Sequence, residues 1–117
     1  MNLSKALILV TSLLSSNVFA SMQDEINHLL QYVASTNCQY ERNGTKYNGE
    51  AAQKHIKTKY QYFVDDIKTT EDFIMFSATK SNMSGKYYKI HCQGSSVVRS
   101  QEWLLAELKR YRLLHKK

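Results

Sequence analysis

Residues Gln39–His55 read QYERNGTKYNGEAAQKH. An aromatic, strand-like stub runs into Arg42-Asn43-Gly44, and Asn-Gly supplies the left-handed backbone of a tight turn before Thr45-Lys46-Tyr47. The segment Cys38–Tyr47 therefore predicts a short hairpin or an irregular extended turn. Asn48 is a helix cap, and the helix begins near Glu50, with Ala52, Ile56, Tyr60 and Phe63 on one face and an end near Asp65. Turn and cap requirements account for Asn43, Gly44 and Asn48. They do not require Arg42 or His55, which makes those two side chains the first place to look for function.

Working upstream, Met22–Ala34 places Ile26, Leu29, Leu30 and Val33 at helical spacing, with Asp24 and Glu25 near the positive helix end. Downstream, Thr69 to Asp72 forms a capping box for a short helix carrying Phe73, Ile74 and Phe76. A polar segment from Thr79 to Gly85 leads to Lys86–Cys92, where Tyr88, Ile90 and Cys92 share one face of a strand. After a turn at Gln93-Gly94-Ser95, Ser100 is expected to cap a last helix through Trp103, Leu104, Leu108, Tyr111 and Arg112. Its basic end carries Lys109, Arg110, His115, Lys116 and Lys117. The expectation is one small α+β domain, with about four helices and a minimal antiparallel sheet or hairpin.

The chain opens MNLSKALILVTSLLSSNVFASMQ, with Lys5, an apolar run from Ala6 to Leu14, and Val18-Phe19-Ala20 as small or apolar residues at a cleavage point. This pattern predicts a signal peptide over residues 1–20, cut after Ala20, and a mature domain over residues 21–117. The run is too short to cross a hydrocarbon core of about 30 Å, so no transmembrane segment is expected in the mature chain. No cysteine follows the cleavage point, which argues against a lipoprotein. A domain of this size has a marginal core and gains from a covalent staple.

Cys38 and Cys92 are the two cysteines, and an oxidising compartment favours their pairing, with about 3 to 4 kcal/mol expected from closing so long a loop. The alternatives are two buried thiols or a reactive pair, although the sequence has neither CxxC nor a cysteine at a helix start. The whole chain has 16 Lys and Arg against 10 Asp and Glu, a net charge of +6. Export removes Lys5 and leaves the mature chain basic. In that compartment anionic headgroups, wall polymers or an acidic protein are more accessible targets than nucleic acid.

Four histidines and two cysteines invite a metal, yet His28, His55, His91 and His115 show no HExxH spacing. His91 and Cys92 are adjacent in a strand and point to opposite faces. No metal or other cofactor is expected. Ser81, Ser84, Ser95 and Ser96 lack a G-x-S-x-G elbow, and carboxylates pair only as neighbours, Asp65-Asp66 and Glu71-Asp72. Two polar constellations remain: Arg42, Asn43, Gly44, His55 and Lys59, with His55 and Lys59 one helical turn apart, and Ser81, Ser84, Gly85 and Tyr88. Together they suit a carboxylate or another small anion. The competing reading has Arg42 and His55 bonding loop carbonyls and holding the turns down.

Taken along the chain, the signal peptide, Tyr40-x-Arg42-Asn43-Gly44, Glu50-Ala51 through His55 to Lys59, Thr70-Glu71-Asp72-Phe73-Ile74, Ser81-x-x-Ser84-Gly85-x-x-Tyr88 and Trp103-Leu104 carry a family likeness. The chain resembles the YfeK-like family of small exported bacterial proteins, a domain of unknown function. The resemblance implies a Gram-negative periplasmic setting and supplies no activity or catalytic residues. The expected function is a non-enzymatic binding or envelope-accessory module recognising a periplasmic protein partner or an anionic envelope component. The alternatives are an immunity or inhibitor protein plugging an enzyme's cleft, and a small hydrolase using Ser81 or Ser84 with His55. A membrane-surface role would rest on the basic C-terminal cluster.

Overall fold

The computed structural model describes residues 20–116. The signal peptide falls almost wholly on residues 1–19 and so lies outside the described residues, as does Lys117. Four α-helices are present: α1 Met22–Ala34, α2 Gly49–Tyr62, α3 Thr70–Ser77 and α4 Ser100–Leu114. Four strands form an antiparallel sheet: β1 Gln39–Arg42, β2 Thr45–Tyr47, β3 Lys89–His91 and β4 Val98–Arg99, in the order β2-β1-β3-β4. The α+β architecture expected from the sequence is the one observed.

The helices form where the patterns place them. Ser21 and Asp24 make a reciprocal capping box at α1, Asn48 accepts the Ala51 N–H at α2, and Thr69 and Asp72 make a second box at α3. The α1 stripe of Ile26, Leu29, Leu30 and Val33 is buried throughout, as are Ala52 and Ile56 on α2, Phe73 and Ile74 on α3, and Leu104 and Leu108 on α4. The sheet contributes Tyr40 and Ile90, each flanked by strand neighbours turned away from the core. Helix α1 packs against the other three helices, while α2 meets β1, and α4 meets β3 and β4.

Two close joints hold these layers in place. Gly49, the first residue of α2, lies so near the end of α1 that an added Cβ would stand 2.3 Å from the Val33 carbonyl oxygen. Cys38 and Cys92 are disulfide-bonded. Because Gln39 pairs with His91 in the β1–β3 ladder, the bond fastens the two central strands just beyond their last paired residues.

Three local expectations are corrected. Helix α2 stops at Tyr62 rather than near Asp65, and Val64–Asp66 forms a 3-10 turn with Asp66 donating to the Phe63 carbonyl at 2.9 Å. Asp65 and Asp66 carry negative charge at the negative end of the helix dipole, where a longer α2 would be disfavoured. Ser100 is not the cap of α4: Arg99 occupies that position without a side-chain cap, and Ser100 is the first helical residue. The Ser100 hydroxyl is buried 2.9 Å from the Tyr40 hydroxyl, and its N–H donates to the Tyr88 carbonyl at 2.9 Å. The strand expected over Lys86–Cys92 is confined to Lys89–His91, and an isolated bridge joins Lys80 to Tyr87.

Glu25, read from sequence as a helix-dipole residue, is buried and crosses the domain. It receives hydrogen bonds from Thr70 Oγ1 and from Arg112 Nε at 2.8 Å, and Arg112 also reaches Glu71 at 2.7 Å. On the same seam Glu107, also buried, meets His28 at 2.6 Å and Arg110 at 2.7 Å. These acids lock α1, α3 and α4 together. No helix among the described residues is long and apolar enough to cross a membrane.

Candidate functional site

The two constellations of the sequence meet at one cleft of about 530 Å³, lined by Arg42, Asn43, His55, Lys59, Ser81 and Tyr88 among others. Arg42 is there because it ends β1, and Asn43 because it takes the left-handed turn position at φ 50°. His55 and Lys59 are one turn apart on the face of α2 that overlooks this turn. Tyr88 enters from the residue before β3, with its ring packed 5.7 Å from that of Tyr40.

A relay of hydrogen bonds fixes the floor. Lys59 Nζ donates to the Lys80 carbonyl at 2.7 Å and to the Tyr88 phenolic oxygen at 3.2 Å, and that oxygen lies 3.1 Å from His55 Nε2. A neutral imidazole accepting from the Tyr88 hydroxyl satisfies all three groups. Burial, and then the charges of Arg42 and Lys59, hold the His55 pKa down to about 4, so the ring is neutral at pH 7. Burial and then Arg42 lower Lys59 to about 8. The Tyr88 phenol is raised, chiefly by burial, with Arg42 opposing.

Among the described residues no aspartate or glutamate lines the cleft. Arg42 makes no ion pair among the described residues, and its guanidinium lies over the Tyr47 ring, 4.8 Å from the centroid. His28 and His91 differ from His55 in that each sits against a carboxylate, Glu107 and Glu41 respectively. A larger groove of about 680 Å³ runs along α4, but its Arg112 is already neutralised by Glu25 and Glu71. The groove also carries Lys109 and Lys116, but it holds two acids among its cations, whereas the described lining of the Arg42–Lys59 cleft has cations alone.

Not every predicted residue faces this space. Ser84 lies behind it: its hydroxyl donates to Asn43 Oδ1 at 2.6 Å and accepts the Lys86 N–H at 3.1 Å, bracing one turn against the other. Gly44 lines a separate polar depression with Glu41 and Lys86. Ser81 accepts the Ser84 N–H at 3.3 Å, and neither Ser81 nor Ser84 hydrogen-bonds His55. The sequence reading missed Thr58, Tyr62, Phe63, Asn82 and Met83, all of which line the cleft. Thr58 and Tyr62 lie three and seven residues after His55, a spacing that marks one helix face. Among the described residues no group of three or more His, Cys, Asp or Glu is placed to hold a metal ion.

Fold and site together define a small, disulfide-linked α+β domain with a cationic, partly aromatic cleft between its hairpin and its second helix. The chain belongs to a family of unknown function (DUF5329), whose profile matches residues 20–112. No curated protein and no solved structure is a match for it.

Proposed function

We propose that this protein is a non-enzymatic binding module of the bacterial periplasm, similar to YfeK-like proteins and exported by a cleaved signal peptide. It captures an anionic component of the envelope at the cleft of Arg42, His55 and Lys59. One observation carries this reading: two cations and a desolvated imidazole share a concave site whose described lining holds no acid to balance them. Buried charge of one sign is costly unless paired, so an entering anion relieves a repulsion that the fold otherwise sustains. The Cys38–Cys92 disulfide suits an oxidising compartment.

The test is a titration of the isotope-labelled protein with acetate and with inorganic phosphate, followed by amide resonances. Shifts centred on Arg42, His55 and Lys59, lost in a still-folded Arg42→Ala variant, are the expected result. Shifts that are absent, or that persist in Arg42→Ala, would overturn the reading.

A further inference from the structure

The cleft has a second property besides its charge. Above the polar floor its walls are Tyr62, Phe63 and Met83, and two of these stand in water: Tyr62 is 81% exposed and Met83 99% exposed. Phe63 is half-buried, stacked on Phe76 and edge-on to Tyr62, so one wall is an aromatic pair backed by the core. The lining also includes Met83, on the exposed turn between Ser81 and Ser84. A thioether side chain adapts readily to irregular apolar shapes. Polar and charged groups at the base, with apolar groups at the lip, are the lining of a site for a molecule that has both characters.

Resting on the anion-binding reading above, we propose that the ligand is a small amphiphilic carboxylate. Its head is held by Arg42 and Lys59, and its acyl or aryl body lies against the Tyr62–Phe63 pair and Met83.

The head group follows from the donors left free. Lys59 spends two ammonium hydrogens on Lys80 and Tyr88 and keeps one, while Arg42 offers a guanidinium fork that matches two carboxylate oxygens. A phosphate, with three terminal oxygens, is better served by a helix N-terminus or a run of backbone N–H groups. Of the basic groups of α2 that line this cleft, His55 comes from the middle of the helix and Lys59 from its last turn, both away from its N-terminus. The body follows from the walls, since each methylene taken out of water strengthens binding about fourfold. A volume of about 530 Å³ falls within the range of roughly 300–1,000 Å³ usual for small-molecule sites. The groups facing Lys59 are Arg42 from β1, His55 from its own helix and Tyr88 beside β3, none of them acidic. A bound carboxylate therefore favours the ammonium, and affinity falls as pH rises through about 8, where the free site loses that proton.

The experiment is isothermal titration with octanoate, acetate and octyl phosphate, using wild type, Arg42→Ala and a Tyr62→Ser/Met83→Ser double variant. Octanoate is expected to bind at least tenfold tighter than acetate in the wild type. The double variant should lose that advantage while keeping its affinity for acetate, and Arg42→Ala should weaken both. Octanoate binding no tighter than acetate, with both still dependent on Arg42, would overturn the amphiphile and leave the anion site standing. Octyl phosphate binding tighter than octanoate would overturn the carboxylate head. Absence of Arg42-dependent binding by all three would overturn this inference together with the reading it rests on.

Discussion

Lys59 and Tyr88 are joined by a 3.2 Å hydrogen bond from ammonium to phenol, and the ammonium also lies 5.0 Å from the centroid of the same ring. The contact holds a cation beside Arg42 in a half-buried setting, where its pKa is lowered to about 8. Stability alone does not ask for a charge there. Lys59→Met keeps the apolar stem and removes the repelled ammonium, while the exposed Lys80 residue can turn its carbonyl to water. The variant is expected to gain up to about 1 kcal/mol in chemical denaturation and to lose anion binding. A clear loss of stability would show that the lysine is there to hold the fold.

The His55 ring sets a pH dependence whose sign follows from its environment. Its folded pKa of about 4 lies below the unfolded value of about 6.5, so between those values the unfolded chain binds more protons. Stability should fall as pH drops from about 6.5 towards 4. In His55→Gln that contribution is removed, and the difference between the two stability profiles should open across this window and stay constant above pH 7. Parallel profiles from pH 7 to 4.5 would contradict the neutral, desolvated imidazole.

At the helical seam, Arg112→Ala leaves the Glu25 carboxylate buried with only Thr70 as its hydrogen-bond partner among the described residues. Arg112 holds the Glu25 pKa below the usual carboxylate value, against burial, so the pair stabilises the fold above that range and less so as pH falls through the lowered value. Removing the arginine should cost about 2 kcal/mol at pH 7, less than a fully buried pair because Arg112 remains partly in water. Adding Glu25→Gln should recover part of the loss. A double variant as weak as the sum of the two singles would rule out direct coupling.

Gly49→Ala tests the approach of α1 to α2. The new methyl would meet backbone rather than a movable side chain, at 2.3 Å from the Val33 oxygen and 2.9 Å from the Ala34 oxygen. Overpacking of this kind costs about 1–3 kcal/mol, and the upper end is expected. A midpoint unchanged in urea would mean that the helix start relaxes freely.

Replacing both cysteines by serine should lower stability by about 4 kcal/mol, because 54 residues of separation give a large unfolded-state loop to release. Circular dichroism during thermal unfolding, with and without reductant, measures it directly. A loss below about 1 kcal/mol would place the burden of stability on the core.

Local chemistry made much of this protein legible in its sequence. The buried stripe of α1, the caps at Asn48 and Thr69 and the Asn43-Gly44 turn were readable because each depends on residues within one turn of one another. The cysteine pairing was readable because only two cysteines exist. The residues Arg42, Asn43, His55, Lys59, Ser81 and Tyr88 could be named as candidates because no local rule used up Arg42 or His55. Ser100 shows where such reasoning stops: a serine ahead of an apolar run reads as a cap, and only its burial against Tyr40 reveals that its hydroxyl has another partner. Glu25 was ambiguous in the same way, since a carboxylate near a helix start suits the dipole, whereas Arg112 lies 87 residues away. The joining of two constellations into one cleft, the absence of any acid from its described walls and the exposure of Tyr62 and Met83 at its edge were settled by packing. Charge balance and concavity are properties of three-dimensional neighbours, and no spacing along the chain encodes them.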